Sequence, residues 1–143
     1  MSTEIPDLTT PRLILRALEI TDAAAIQQRF PQWEIVRFLS SQVPWPYPAD
    51  GALTYLRDVA LPEMERGTVW HWSIRRKAAP ESLIGVISLI DKRDENRGFW
   101  LDREWQGQGL MTEAAEAVTD FWFDTLGRTV LYKGAQKVRI EEV

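Results

Sequence analysis

The chain has 143 residues, of which 45% are hydrophobic and 27% charged, a balance that suits one compact domain and excludes a disordered chain or two ordinary domains. With no cysteine and a single histidine, disulfides, thiolate nucleophiles and cysteine or multi-histidine metal centres are excluded. A net charge of -4 argues against a nucleic-acid surface, although Arg75 to Lys77 form a local basic stretch; the N-terminus lacks a targeting pattern and no window is apolar enough for a membrane span, so a cytoplasmic protein is expected.

In chain order, Arg12 to Leu18 sets Leu13, Leu15 and Ala17 against Arg12, Ile14 and Arg16, the alternation of a strand. Thr21 or Asp22 then caps a short helix over Ala23 to Phe30, with Ala25, Ile26 and Phe30 on its apolar side. Pro44, Pro46 and Pro48 make the following stretch an aromatic-rich loop. Asp50 is placed to cap a helix reaching about Arg66, whose apolar side would carry Leu53, Leu56, Val59, Ala60 and Met64 and whose end Pro62 would kink or shorten.

Three strands are expected next: Thr68 to Arg76, with Trp70, Trp72 and Ile74 alternating; Leu83 to Ile90, almost continuously apolar and therefore central; and the short aromatic Arg97 to Asp102. Gly85 marks a bulge or a close backbone approach. From Met111, the spacing of Ala114, Ala115, Val118, Phe121, Trp122 and Thr125 predicts a helix terminated at Gly127. A last strand falls in Thr129 to Tyr132 or in Lys137 to Val143. This order describes an α/β fold with a largely antiparallel meander flanked by helices.

Between the third of those strands and the last helix stands Gln106-Gly107-Gln108-Gly109. A helix N-terminus carries unpaired N–H groups and positive dipole charge, so phosphate oxygens bind there when no side chain obstructs them. The plainer reading is a tight turn that needs positive φ. Glycine spacing alone leaves both open.

The longer string Arg97 to Ala115, "RGFWLDREWQGQGLMTEAA", resembles motif A of the GNAT superfamily of N-acetyltransferases, in which a Q/R-x-x-G-x-G/A loop cradles the pyrophosphate of acetyl-coenzyme A. Gln106, Gly109 and Met111 stand at its three signature places, Met111 departing from the usual Gly or Ala. "TPRLILRAL", "PWPYPAD" and "LIGVISL" are similar to segments of the RimJ/RimL-like, ribosomal-protein branch, so the resemblance runs from Thr10 to about Gly127. It implies a GNAT fold, a mixed and mostly antiparallel sheet flanked by helices.

It also implies chemistry. Trp100, Leu101 and Asp102 would offer main-chain groups to the cofactor arm, one N–H stabilising the developing oxyanion, and Gln106, Gly107, Gln108, Gly109, Leu110, Met111 and Thr112 would hold the pyrophosphate of acetyl-coenzyme A. No metal is implied. Trp33 and Trp45 fall where the family forms its acceptor pocket, with simple packing as the alternative; the partner would be a small-molecule amine or a protein N-terminus. Where many relatives carry a glutamate base, this chain reads Asn96-Arg97-Gly98. The candidates left are Glu95, one place away and so on the other face of a strand, with a solvated loop carboxylate as the alternative, and His71, whose place between Trp70 and Trp72 is more often that of a structural or surface histidine.

The family normally continues into a fifth strand, an N-x-x-S segment, a further helix and a closing hairpin, which supply a tyrosine or serine near the leaving thiolate. Lys137 to Val143 is read as the fifth strand, and nothing comparable to the later parts is expected after the stretch Leu126 to Val143. One GNAT domain over 1–143 is expected, with an exposed sheet edge that favours association between copies. Against the N-acetyltransferase reading stands a non-catalytic acyl-coenzyme A sensor or interaction module.

Overall fold

The computed structural model describes residues 5–36, 43–92, 96–133 and 136–140. A five-stranded sheet runs in chain order: β1 (Leu8–Thr9), β2 (Leu13–Ala17), β3 (Val69–Arg76), β4 (Ala79–Ile90) and β5 (Arg97–Leu101). β6 (Val130–Lys133) and β7 (Gln136–Ile140) form a separate hairpin. Every pairing between the described strands is antiparallel. β1 was not anticipated, since two residues are too few to show a period; both candidate stretches for the last strand are used, because each pairs with the other.

Helices cover both faces. On one lie α1 (Ala23–Arg29), α2 (Trp33–Val36), α3 (Gly51–Tyr55) and α4 (Leu61–Glu65). Ile26, Phe30, Ala52, Leu56 and Ala60 pack there against Leu83 and Val86. On the other lies α5 (Leu110–Asp120), extended by a π-helical turn over Phe121–Thr125. Leu110, Ala114, Val118, Phe121, Trp122 and Phe123 join Leu13, Leu15, Trp70, Trp72, Ile74 and Ile87 in that second core. β4 is buried from Leu83 to Leu89 because apolar layers press on it from both sides. Trp70, Trp72 and Trp122 are core residues, and the indole N–H groups of Trp72 and Trp122 donate to Pro6 O and Val130 O.

Several expectations are corrected by tertiary contacts. Asp22 stands at the start of α1 but makes no side-chain cap there; its carboxylate accepts from the Glu19 N–H at 2.9 Å and from Arg75 Nη2 at 2.6 Å. Asp50 likewise makes no side-chain cap, and the Ala52 N–H donates instead to Gln27 Oε1 from α1. Pro62 does not shorten its helix, which runs on to Glu65; the irregularity expected at the proline is a π-helical widening over Leu56–Ala60 just before it. That wide turn keeps Ala52, Leu56 and Ala60, spaced by four, in one buried stripe, and turns Leu53 and Val59 out to solvent. Thr125 is exposed for the same reason at the end of α5, and Gly127, with φ 69°, follows.

Gly85 combines the two roles read for it. The register between β3 and β4 shifts just beyond Ile74, its partner, and a Cβ at Gly85 would lie 2.5 Å from Trp100 O. Asn96, 3% exposed, closes the β4–β5 connection: its Nδ2 donates to Ile90 O and Lys92 O, and its Oδ1 accepts from the Tyr132 N–H of β6.

Candidate functional site

β5 ends at Leu101, and Asp102 caps the 3₁₀ turn Arg103–Trp105 by accepting the Glu104 N–H at 3.2 Å. The chain then turns through Gln106 to Gly109 into α5. Gly107 has φ 79° and Gly109 φ 80°, the left-handed region, so both are needed for the turn itself. The geometry also leaves the approach open: a Cβ at Gly107 would meet nothing within 4 Å. Gly109 is the N-cap residue and supplies no side chain, so the Leu110, Met111 and Thr112 N–H groups have no partner inside the helix.

This turn is braced from the other end of the chain. Arg12 donates to the Glu113 carboxylate through Nε and its main-chain N–H, and through Nη1 to Gln108 O at 3.0 Å; Thr10 Oγ1 adds a bond to Glu113 at 2.7 Å. Burial pushes the Glu113 carboxyl up, yet these donors outweigh it and hold the group below its ordinary range. The acidic residue in the first turn of α5 is thereby tied to the turn between β1 and β2. Gln106 Nε2 donates to Leu101 O at 2.8 Å, fixing the turn to the strand before it.

The main chain of β5 alternates in direction. The Asp102 N–H donates to Ile84 O, and Ile90 N–H donates to Asn96 O. With Gly85 opposite Leu101 and Val86 opposite Trp100, the main-chain groups of Trp100 face β4 whereas those of Leu101 face the outer edge. Asp102 O accepts from the Trp105 N–H. Of the three residues assigned from sequence to the cofactor arm, Leu101 therefore presents its N–H outward, and Trp100 and Asp102 spend theirs inside the fold. The carboxylate of Asp102, a residue 9% exposed, holds Arg29 at 2.7 Å and Gln32 at 3.2 Å. Burial raises its pKa, but the Glu104 N–H, Arg29 and Gln32 outweigh that and keep it an ionised structural anchor between β5 and α1.

The face of β5 toward α1 and α3 is aromatic. Phe30 stands edge-on to both Trp100 and Tyr47, each at 5.2 Å, linking β5 to the proline-rich loop. A Cβ at Gly51 would press into the Tyr47 ring at 2.6 Å, so that glycine seats the tyrosine. Trp33 and Trp45 are 51% and 46% exposed, their rings 5.5 Å apart and tilted by 46°. They form a paired aromatic surface in the open. Sequence reasoning had the two tryptophans but missed Phe30, Tyr47 and Arg29, which only tertiary contacts bring to β5.

Of the two base candidates, Glu95 lies outside the described residues. His71 is 5% exposed, and burial pushes it down to about 4, so its ring is neutral at neutral pH. Its Nδ1 meets Ser88 Oγ at 2.5 Å, its Nε2 is buried without a partner, and the Tyr55 ring stands 6.5 Å away. Ser88 was overlooked; the lone hydroxyl in an apolar strand was the available signal. Asn96, where many relatives of the resembled family carry a glutamate, is bonded at both ends of its amide and is a clamp. Among the described residues, no three His, Cys, Asp or Glu side chains come together as a metal site, and no helix is long and apolar enough to cross a membrane.

Comparison with known proteins gives a family and a fold. A family model described as "Acetyltransferase (GNAT) domain" matches residues 12–139. No curated protein sequence matches the chain. Among solved structures, the chain is similar to RimL, a ribosomal L7/L12 alpha-N-protein acetyltransferase in complex with coenzyme A, at 19% identity and TM-score 0.69, over 88% of this chain and 72% of that one. It is similar to the ribosomal-protein-S5-alanine acetyltransferase from Vibrio fischeri at 17% identity and TM-score 0.69, over 89% and 72%. FdhC, a nucleotide-linked sugar GNAT, is similar at 20% identity and TM-score 0.67, over 90% and 71%.

Proposed function

The chain belongs to the acetyltransferase (GNAT) domain family, and from that membership we propose that it moves an acetyl group from acetyl-coenzyme A to a primary amine, a protein N-terminal amine in particular, by direct attack in a ternary complex. The observation that carries this reading is the glycine turn: two residues with positive φ, an open approach at Gly107 and an uncapped α5 N-terminus at the end of β5. In the proposal, the N–H groups from Gly107 to Thr112 hold the pyrophosphate, while the Gln106 N–H is spent on Arg103 O at 3.2 Å and that residue serves through its side-chain bond to Leu101 O. The outward N–H of Leu101 faces the acetyl carbonyl and stabilises the negative charge that grows on its oxygen as the amine nitrogen adds to its carbon. The C–S bond then breaks with its electron pair going to sulfur, the amide forms, and the proton lost by the nitrogen ends on the departing thiolate, releasing coenzyme A as its thiol. Holding both reactants against β5 supplies up to about 7–11 kcal/mol of the barrier reduction.

Similarity to RimL and to the S5-alanine enzyme supports a protein N-terminus as acceptor. The pair Trp33 and Trp45 is the proposed wall of that acceptor's entrance. FdhC, a nucleotide-linked sugar GNAT, is similar to about the same degree, and one fold can serve different acceptors, so the acceptor is the part to test by panel.

Calorimetric titration with acetyl-coenzyme A beside pantetheine lacking the nucleotide is the direct experiment. Binding that needs the pyrophosphate, followed by steady release of free coenzyme A with an N-terminal peptide amine, is the expected result. Binding without release would leave a sensor in place of an enzyme, and no binding by a folded chain would overturn the cradle.

A further inference from the structure

Across three strands, His71, Ser88 and Gly98 stand side by side: His71 pairs with Ser88 and Ser88 with Gly98. They face the α1 and α3 side of the sheet, in the row next to Ser73, Val86 and Trp100. Neighbouring side chains in such a row lie parallel and about 4.5–5.5 Å apart. Ser88 is thus flanked by an imidazole on one side and by a missing side chain on the other. A Cβ built at Gly98 would meet nothing within 4 Å, and Gly98 remains half-exposed in mid-strand. No conformational demand explains this glycine, since its φ is not positive. What it leaves is a slot beside Trp100, with Ser88 on its inner wall and the half-exposed Tyr55 near His71.

Taking the transfer reading above as given, we infer that this slot receives the acceptor amine, with the Ser88 hydroxyl accepting one of its N–H bonds and His71 positioning that hydroxyl. The His71 ring has one partner, Ser88 Oγ at Nδ1, while Nε2 is buried with none. An orphaned buried N–H is rarer than an under-satisfied acceptor, so the proton belongs on Nδ1 and is donated to Ser88. Ser88 Oγ then keeps a lone pair and its own O–H, and the slot is the open side available to them. A neutral ring behind the serine adds no positive charge to repel an ammonium arriving from solvent. Asn96, two residues before Gly98 in the β4–β5 connection, cannot take the task because its amide is already bonded at both ends.

Because His71 is the only histidine, its ring resonances report on the slot without turnover and without ambiguity. The experiment titrates the full chain with alanine amide, with and without coenzyme A, following the His71 ring proton and nitrogen shifts. A saturable shift is expected in the wild type. In Gly98→Val, which fills the slot from an ordinary strand backbone, the shift is expected to vanish with coenzyme A affinity unchanged. Ser88→Ala should weaken it about tenfold, and Ser88→Thr should restore it. In an active preparation, Ser88→Ala should raise KM for the amine more than it lowers kcat. A silent His71 in the wild type, or a response unaltered in both Gly98→Val and Ser88→Ala, would overturn the inference. Failure of acetyl-coenzyme A to bind is a separate outcome that sinks the transfer reading alone.

Discussion

At the scale of single residues, burial decides what the titratable groups do. His71 stays neutral in the folded chain down to about pH 4, while in the unfolded chain it protonates near 6.5. Between those values the unfolded state takes up a proton that the folded state refuses, so its contribution is intact above pH 6.5 and is lost as the pH falls toward 4. The loss amounts to about 3 kcal/mol. Urea denaturation at pH 7.5 and 4.5 should show it in the wild type, and His71→Gln should flatten that part of the slope while the carboxylates keep theirs. Gly85→Ala is a steric counterpart: its Cβ would lie 2.5 Å from a carbonyl oxygen of the neighbouring strand. A cost of roughly 1–3 kcal/mol is expected in the same assay. Neither effect is written in the residue's own identity, since histidine in an alternating strand and glycine in an apolar one fit several environments.

At the scale of elements, period gave the strands and the faces of the helices, but not where the helices widen. A period of 3.6 placed Leu53, Val59 and Thr125 inward; π-helical turns at Leu56–Ala60 and Phe121–Thr125 change the phase and turn them out. The glycine turn was legible from its motif, and its two positive φ values account for the glycines as conformation. Whether they also serve a ligand is separable by a control. Gly127 has φ 69° and open space around its Cβ position, as Gly107 does. Gly127→Ala and Gly107→Ala should each cost about 1–2 kcal/mol of stability, measured by thermal unfolding. Gly109→Val, which also meets Arg12 Nη2 at 3.3 Å, should in addition weaken acetyl-coenzyme A binding at least tenfold by calorimetry, whereas Gly127→Ala should leave that affinity unchanged.

Over the whole molecule, side chains far apart in sequence hold the site's elements in place. Arg12 and Thr10 reach Glu113, Arg29 and Gln32 reach Asp102, and Asn96 reaches Tyr132. Asn96→Ala removes three bonds from a buried position, so a loss of about 2–4 kcal/mol is expected. Hydrogen exchange should localise it, with the Tyr132 N–H losing protection and the β2–β3 amides keeping theirs relative to global unfolding. The sequence by itself determined the order of elements, the burial of β4 on both faces, the core tryptophans and the glycine turn, because alternation, helical spacing and a backbone motif are local properties of a chain. Only the tertiary structure decided which main-chain groups of β5 face outward, that Asp22 and Asp50 make no side-chain cap on α1 and α3, that Asn96 is a clamp, and that His71, Ser88 and Gly98 share a row. Those outcomes depend on strand register and on partners up to 103 residues away, and no local pattern encodes a partner.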